Sequence, residues 1–314
     1  MSYIIKIRRL ILKTLGRKRA TKIKTIIWNI ISNMYTYFKS VEPPHTCRPY
    51  GVSAVIWSKN EEDWIEFSMR SVAEIVDEYV LIDASTDRTP QIAMETGREL
   101  DIPVKIVRVT TRNMAEVGNL GLKHSSYRWI LKWDPDFILH EDYVIMLKKL
   151  VEELDSKSEY YLILWPHICL DGDLFHYNPK DYLHIEPWLF NYHSKLRYKM
   201  IGWLEHLDFS LFYKRLFIDK PLSFHLITVK NPVRLLYRKY WYEVRKKGIL
   251  DKVDLEGYAR RRIVDEYGTT NVEEAAMLYI KEILSRLARY KPHKHLLYPK
   301  LLKDYLKAHG IRLE

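Results

Sequence analysis

The sequence predicts an α/β fold: a mostly parallel sheet with flanking helices, antiparallel additions and a helical C-terminal region. Three observations predict it. Short apolar runs alternate with helix-length amphipathic segments from Val52 to Trp133. The rhythm breaks after Leu154 into longer apolar runs, which suit antiparallel strands. From Pro232 onward the chain is basic, tyrosine-rich and helical in pattern.

Each element has its own signal. Val52–Trp57 reads as a buried strand. Asn60 follows as an expected N-cap, with Glu61, Glu62 and Asp63 in the first turn of a helix whose apolar stripe is Ile65, Met69, Val72 and Val76. Tyr79–Ile82 is the second strand. Thr89 before Pro90 marks a helix start, and that helix runs to about Leu100. Val104–Val109 is the third strand, Met114–His124 the third helix and Tyr127–Trp133 the fourth strand, ending in Asp134-Pro135-Asp136. Beyond it, Tyr160–Leu170 and Leu174–Tyr177 flank Asp171-Gly172, a hairpin signal.

Charge divides the chain into three. Residues 1–40 hold ten Lys/Arg and no acid; residues 230–314 hold twenty Lys/Arg and eleven acids; the middle holds 21 basic and 29 acidic residues. The expected units are a basic N-terminal arm and linker (1–50), a catalytic domain (51–229, with halves at 51–140 and 141–229) and a basic helical region (230–314). An acidic centre argues against a nucleic-acid groove and suits carboxylates gathered around a cation. The arm mixes bulky apolar and basic residues, as in Tyr3–Lys13. It reads as an amphipathic helix on an anionic membrane surface or, alternatively, as a helix packed on its own domain. Only Cys47 and Cys169 are present, which makes no disulfide framework and points to a cytoplasmic protein, peripheral on the membrane's cytoplasmic face if the arm binds lipid.

In open α/β sheets, ligands bind beyond the carboxyl ends of the strands. Trp57, Asn60 and Glu62 follow the first strand, Asp83 the second, Arg112 and Asn113 the third, and Asp134 and Asp136 the fourth. Two carboxylates one residue apart can serve a hard cation, Mg2+ or Mn2+, that bridges diphosphate oxygens. Pro135 has no N–H to give a central strand, which favours a turn with both carboxylates free.

These residues resemble family-2 glycosyltransferases with the GT-A fold. The matching pieces are Ser58-Lys59-Asn60-Glu61-Glu62, Asp83-Ala84-Ser85-Thr86-Asp87-Arg88-Thr89, Asn119-Leu120-Gly121, and Asp134-Pro135-Asp136 at the D-x-D position. The resemblance implies a metal-dependent transfer from a nucleotide-sugar donor to a hydroxyl of a glycan or lipid-linked glycan. It implies that Asp83 contacts the base, that Asp134 lies near ribose and metal, and that Asp136 holds the metal. Ala84, Gly118 and Pro135 depart from the usual Gly, Arg and small residue at those places. Glu186–Phe190, Leu204–Asp208 and Ser223–His225 resemble later landmarks, which imply His225, then His206, as a further metal ligand. Inverting transfer needs a carboxylate base; Asp208 ranks first by position and Glu205 second. Two other classes compete. A sugar-phosphate nucleotidyltransferase would carry a Gly-rich loop where this chain has Trp57–Glu62. A non-enzymatic basic binder of RNA or lipid would use the arm alone.

Overall fold

A computed structural model describes residues 2–46, 48–180, 183–292 and 296–311; Cys47 and the side chains of Tyr3–Lys13 lie outside the described residues. The chain runs α1 (Ser2–Phe38), β1 (Val52–Ser58), α2 (Ile65–Val72), β2 (Glu78–Asp83), α3 (Thr89–Glu99), β3 (Val104–Arg108), α4 (Met114–His124), β4 (Trp129–Trp133), β5 (Phe137–Leu139), α5 (Val144–Asp155), β6 (Tyr161–Leu170), β7 (His176–Tyr177), β8 (Leu183–Asn191), β9 (Tyr198–Ile201), β10 (Leu204–Leu207), β11 (Lys214–Phe217) and β12 (Ser223–Leu226). The C-terminal region adds α6 (Pro232–Lys246), α7 (Leu255–Tyr267), α8 (Val272–Leu284), β13 (Ala288–Arg289) and α9 (Lys300–Ala308).

One large sheet organises these elements in the order β3-β2-β1-β4-β8-β6-β12-β5, with β11 beside β6. β3, β2, β1 and β4 are mutually parallel, joined through the helices between them as βαβ units. β8 is antiparallel to both β4 and β6, and β5 is antiparallel to β12, so the antiparallel additions join on one side. This is the expected α/β, GT-A-like arrangement. β1 and β2 are buried on both faces, as central parallel strands covered by helices must be; Ala54, Ile56, Tyr79 and Leu81 pack with Ile65, Met69 and Val72 of α2 in one core cluster.

Three local expectations change. Asn60 does not cap α2, which starts at Ile65 after Trp64. Asn60 adopts φ 57°, and its side-chain oxygen accepts from Thr86 N at 2.7 Å, tying the loops after β1 and β2 together. Asp171-Gly172 does not form a hairpin: β7 pairs with β13, and the antiparallel partner of β6 is β8. The N-terminal segment is not a detached arm. α1 breaks at Gly16 (φ 71°) and then packs along β11. Trp28 Nε1 donates to Tyr213 O at 2.6 Å, and Asn29 bonds the backbone of Arg215 through both its side-chain oxygen and nitrogen. Among the described residues, no helix is long and apolar enough to cross a membrane.

Candidate active site

A cavity of about 970 Å³ opens beyond the carboxyl ends of β1 and β4 and extends under α1. Its floor is set by a turn. Phe137 N donates to Asp134 O at 3.1 Å, closing a four-residue β-turn with Pro135 at its second position, where proline's fixed φ is favourable. The turn links β4 to β5. β5 then pairs antiparallel with β12, setting His225 opposite Phe137, and Leu226 N donates to Asp136 O at 2.9 Å. In this way two residues far apart in sequence meet: His225 Nε2 lies 3.5 Å from Asp136 Oδ2.

The surroundings set the charge of this pair. Asp136 is 3% exposed. Burial pushes its carboxyl up, but Lys230, with Nζ at 2.8 Å, and His225 outweigh that and hold it well below the usual carboxylate range. The same ammonium bonds both oxygens of Glu61, at 2.6 and 2.7 Å, so the loop after β1 is clamped to the loop after β12. Burial raises the Glu61 carboxyl, and Lys230 only partly offsets it. Asp134 faces the cavity with no hydrogen bond or ion pair of its carboxylate among the described residues. Burial raises its pKa, against the pull of Lys132. Lys132 is paired at 2.8 Å with Glu186, whose other oxygen meets His184 Nε2 at 2.8 Å. The His184 ring is stacked near that of His225, centroids 5.8 Å apart. Two ion-pair chains thus lie in the same cavity wall as the turn.

His225 and Asp136 suit a divalent cation as a partial site. A carboxylate oxygen and an imidazole nitrogen 3.5 Å apart are close enough to share one ion, and this mixed set favours Mn2+ over Mg2+. Among the described residues, no group of three or more His, Cys, Asp or Glu side chains converges as a metal cage, so an ion held there would need further ligands from substrate and water.

The remaining sequence candidates separate into those that line the cavity and those that do not. Trp57 lines it, edge-on to Tyr198, with a buried Nε1 that has no hydrogen-bond partner. Glu205 and His206 line it too, Glu205 held by Arg245 at 2.8 Å. Asp208 is not in the wall; it is half-exposed and paired with Lys199. Asp83 is fully buried and outside the wall. Ser58 Oγ (2.6 Å) and Ser85 bond one oxygen and Arg108 the other, so the carboxylate fastens β1, β2 and β3 at their ends. Asn113 is spent as the N-cap of α4, accepting from Ala115 N and Glu116 N. Arg112 donates to Leu250 O at 2.6 Å, and Glu62 accepts from Arg88 N at 3.2 Å; neither is in the wall.

Sequence reasoning missed Lys230, Arg238 and Lys132. One signal was present: Arg234, Arg238, Trp241, Tyr242 and Arg245 recur at three- and four-residue steps, one face of α6. That face looks into the cavity with Arg238, Trp241, Tyr242 and Arg245.

The family model described as glycosyl transferase family 2 matches residues 53–219. Comparison with curated proteins gives no match. Among solved structures the chain is similar to S. aureus TarS 1–349 in complex with UDP-GlcNAc, at 24% identity over 38% of this chain and 35% of that one, TM-score 0.32. It is also similar to S. aureus TarS 1–349 alone, at 15% identity over 75% and 71%, TM-score 0.40. A third is glucosyl-3-phosphoglycerate synthase from Mycobacterium tuberculosis in complex with Mn2+, UDP and glucosyl-3-phosphoglycerate, at 23% identity over 39% and 46%, TM-score 0.30. The chain spans about a third of the length of the TarS chain bearing UDP-GlcNAc.

Proposed function

The chain belongs to glycosyl transferase family 2, and from that premise we propose that it is a glycosyltransferase whose cavity carries out metal-dependent, inverting transfer from a nucleoside-diphosphate sugar to a hydroxyl of a glycan or lipid-linked glycan. The observation that carries this reading is the convergence of Asp134, Asp136 and His225 in one cavity beyond the ends of β1 and β4. Asp136 and His225 would hold Mn2+ or Mg2+, with Asp134 beside them. Bound there, the ion would neutralise charge on the departing diphosphate. Trp57, with Tyr198 edge-on to it, offers an aromatic corner for the nucleotide. Asp83, in this reading, lies at the base end of the donor, where Ser58, Ser85 and Arg108 fix its carboxylate.

Lys230 supplies a fixed positive charge at the turn, and Arg238 adds a second. Burial lowers the Arg238 pKa, but Tyr242, Asp136 and Glu61 outweigh this and keep the guanidinium charged. Glu205 is the base we propose for the acceptor hydroxyl; Arg245 holds its carboxylate in place within the wall. Glu205→Gln is expected to lower transfer by about 10²–10⁴-fold while leaving donor affinity unchanged. Equal transfer by wild type and variant would remove Glu205 as the base.

The same reading places the protein on the cytoplasmic face of a membrane, through α1. Ala20, Trp28, Ser32 and Tyr35 face the domain, while Ile23, Ile26, Ile27, Ile30, Ile31 and Met34 form an exposed stripe at three- and four-residue steps. Aliphatic residues therefore face outward and hydrogen-bonding residues inward. Arg17, Lys18, Arg19, Lys22 and Lys24 precede or interleave with the stripe, and the first acid after them is Glu42. An apolar stripe beside cations fits an anionic lipid surface. Whole-chain turnover of a nucleotide sugar tests the central reading.

A further inference from the structure

Resting on that reading, we propose that Arg215 forms an oxyanion subsite at the far end of the cavity, and that it takes a phosphate group carried by the acceptor beneath α1.

Three cations of the cavity wall are paired with a carboxylate. Lys132 pairs with Glu186, Lys230 with Glu61 and Asp136, and Arg245 with Glu205. Arg215 differs. Its guanidinium lies 3.8 Å over the ring of Trp28, its Nε is buried with no hydrogen-bond partner, and no ion pair or hydrogen bond of the guanidinium exists among the described residues. Burial alone pulls its pKa down to about 10, with no carboxylate acting against it. A largely buried guanidinium without a counter-ion costs stability. Stacking on Trp28 fixes the plane of the fork, leaving its N–H donors in the geometry that binds phosphate or carboxylate in pairs.

The position of Arg215 separates it from the donor's diphosphate. β6 pairs with both β11 and β12. Arg215 is level with Leu162, and His225 is level with Cys169. Seven residues of strand lie between those levels, on the order of 20 Å. A diphosphate held at His225 and Asp136 does not reach that far. An acceptor chain does: Trp203 and Trp241 line the cavity and offer faces on which sugar rings can stack. Arg17, Thr21 and Lys24 of α1 line the cavity as well, so this end lies beneath the helix whose outer stripe is the proposed lipid face. An oxyanion held here, with the reacting hydroxyl at Glu205, describes a glycan carried on a phosphate.

Full-length protein, with nucleoside diphosphate and Mn2+ present in excess to fill the donor end, is titrated with inorganic phosphate, with a soluble phosphomonoester, and with isoprenyl phosphate in neutral phosphatidylcholine vesicles. Tryptophan fluorescence, sensitive to the Trp28 stack, and calorimetry report binding. Arg215→Ala is expected to weaken phosphate binding by at least about tenfold, with Arg215→Lys in between, because Lys keeps the charge but loses the fork. Arg215→Met retains an apolar contact with Trp28 and should match Arg215→Ala if the lost charge, not a lost fold, is the cause. Weakening confined to the vesicle probe supports a lipid-borne phosphate, and weakening with the soluble ester supports a free one. Failure of wild type to bind any of the three, or equal binding by wild type and Arg215→Ala, overturns the subsite. Failure of nucleoside diphosphate and Mn2+ to bind would instead count against the transferase reading, and the Arg215 comparison would stand apart from it.

Discussion

Asp136→Asn is expected to reduce glycosyl transfer by about 10²–10³-fold, the usual cost of removing one group that stabilises charge developing in the transition state. The substitution keeps the shape of the side chain and removes its charge. Alanine would be a poorer test, because Asp136 is buried and paired with Lys230 and is not a loose turn residue. Lys230 keeps Glu61 in the variant, so the stability loss should stay near 1–3 kcal/mol, the range for one unsatisfied buried partner. The wild-type protein should also show a pH signature that the variant lacks. Lys230 and His225 hold the folded Asp136 carboxyl below its unfolded value despite burial. Ionised Asp136 therefore stabilises the fold above about pH 4, and this contribution fades as pH falls below the unfolded pKa toward the folded one. Thermal melts from neutral to acid pH, run beside transfer assays with and without chelator, give both readings. Full transfer by Asp136→Asn would remove it from the catalytic machinery.

Replacing Ile26 and Ile30 with glutamate is expected to abolish binding to anionic vesicles. Burial of an isoleucine side chain contributes roughly 1.5–3 kcal/mol, so two lost insertions alone lower partitioning by about 100-fold or more, before the added charge repulsion. Both side chains are exposed, at 61% and 57%, so the fold should be untouched. Deleting residues 1–40 would be ambiguous, because it also removes the cavity wall at Arg17, Thr21 and Lys24. Co-sedimentation at low and high salt checks the prediction. Pelleting of wild type and variant in equal amounts would show that the stripe is not a lipid face, and a concentration-dependent dimer of wild type alone would assign it to a second copy of the chain.

The βαβ half was legible because each strand is a short apolar run and each helix has a polar face, a switch of period visible in sequence. The Met114–His124 helix is found with its expected bounds. Which face of a helix turns inward was less legible. The isoleucines of α1 have core-like spacing, yet they point out, because Trp28 and Asn29 find hydrogen-bond partners on β11 and the backbone beside it. Side-chain roles at the strand ends were harder again. Asn60, Asp83 and Asn113 have the chemistry of ligand contacts, and each also makes internal bonds at the strand ends that the sequence did not reveal. Lys230 gave no signal at all. A lysine in a loop reads as solvated, and its burial depends on Glu61, 169 residues away.

Nucleotide release by the full-length protein, measured across a panel of uridine, guanosine and other nucleoside-diphosphate sugars with Mn2+, with Mg2+ and with chelator, tests the central claim most directly. The account predicts turnover of at least one donor, dependent on the divalent ion and lost in Asp136→Asn. Metal-independent turnover that persists in Asp136→Asn, or binding of no nucleotide sugar under any of these conditions, would contradict it.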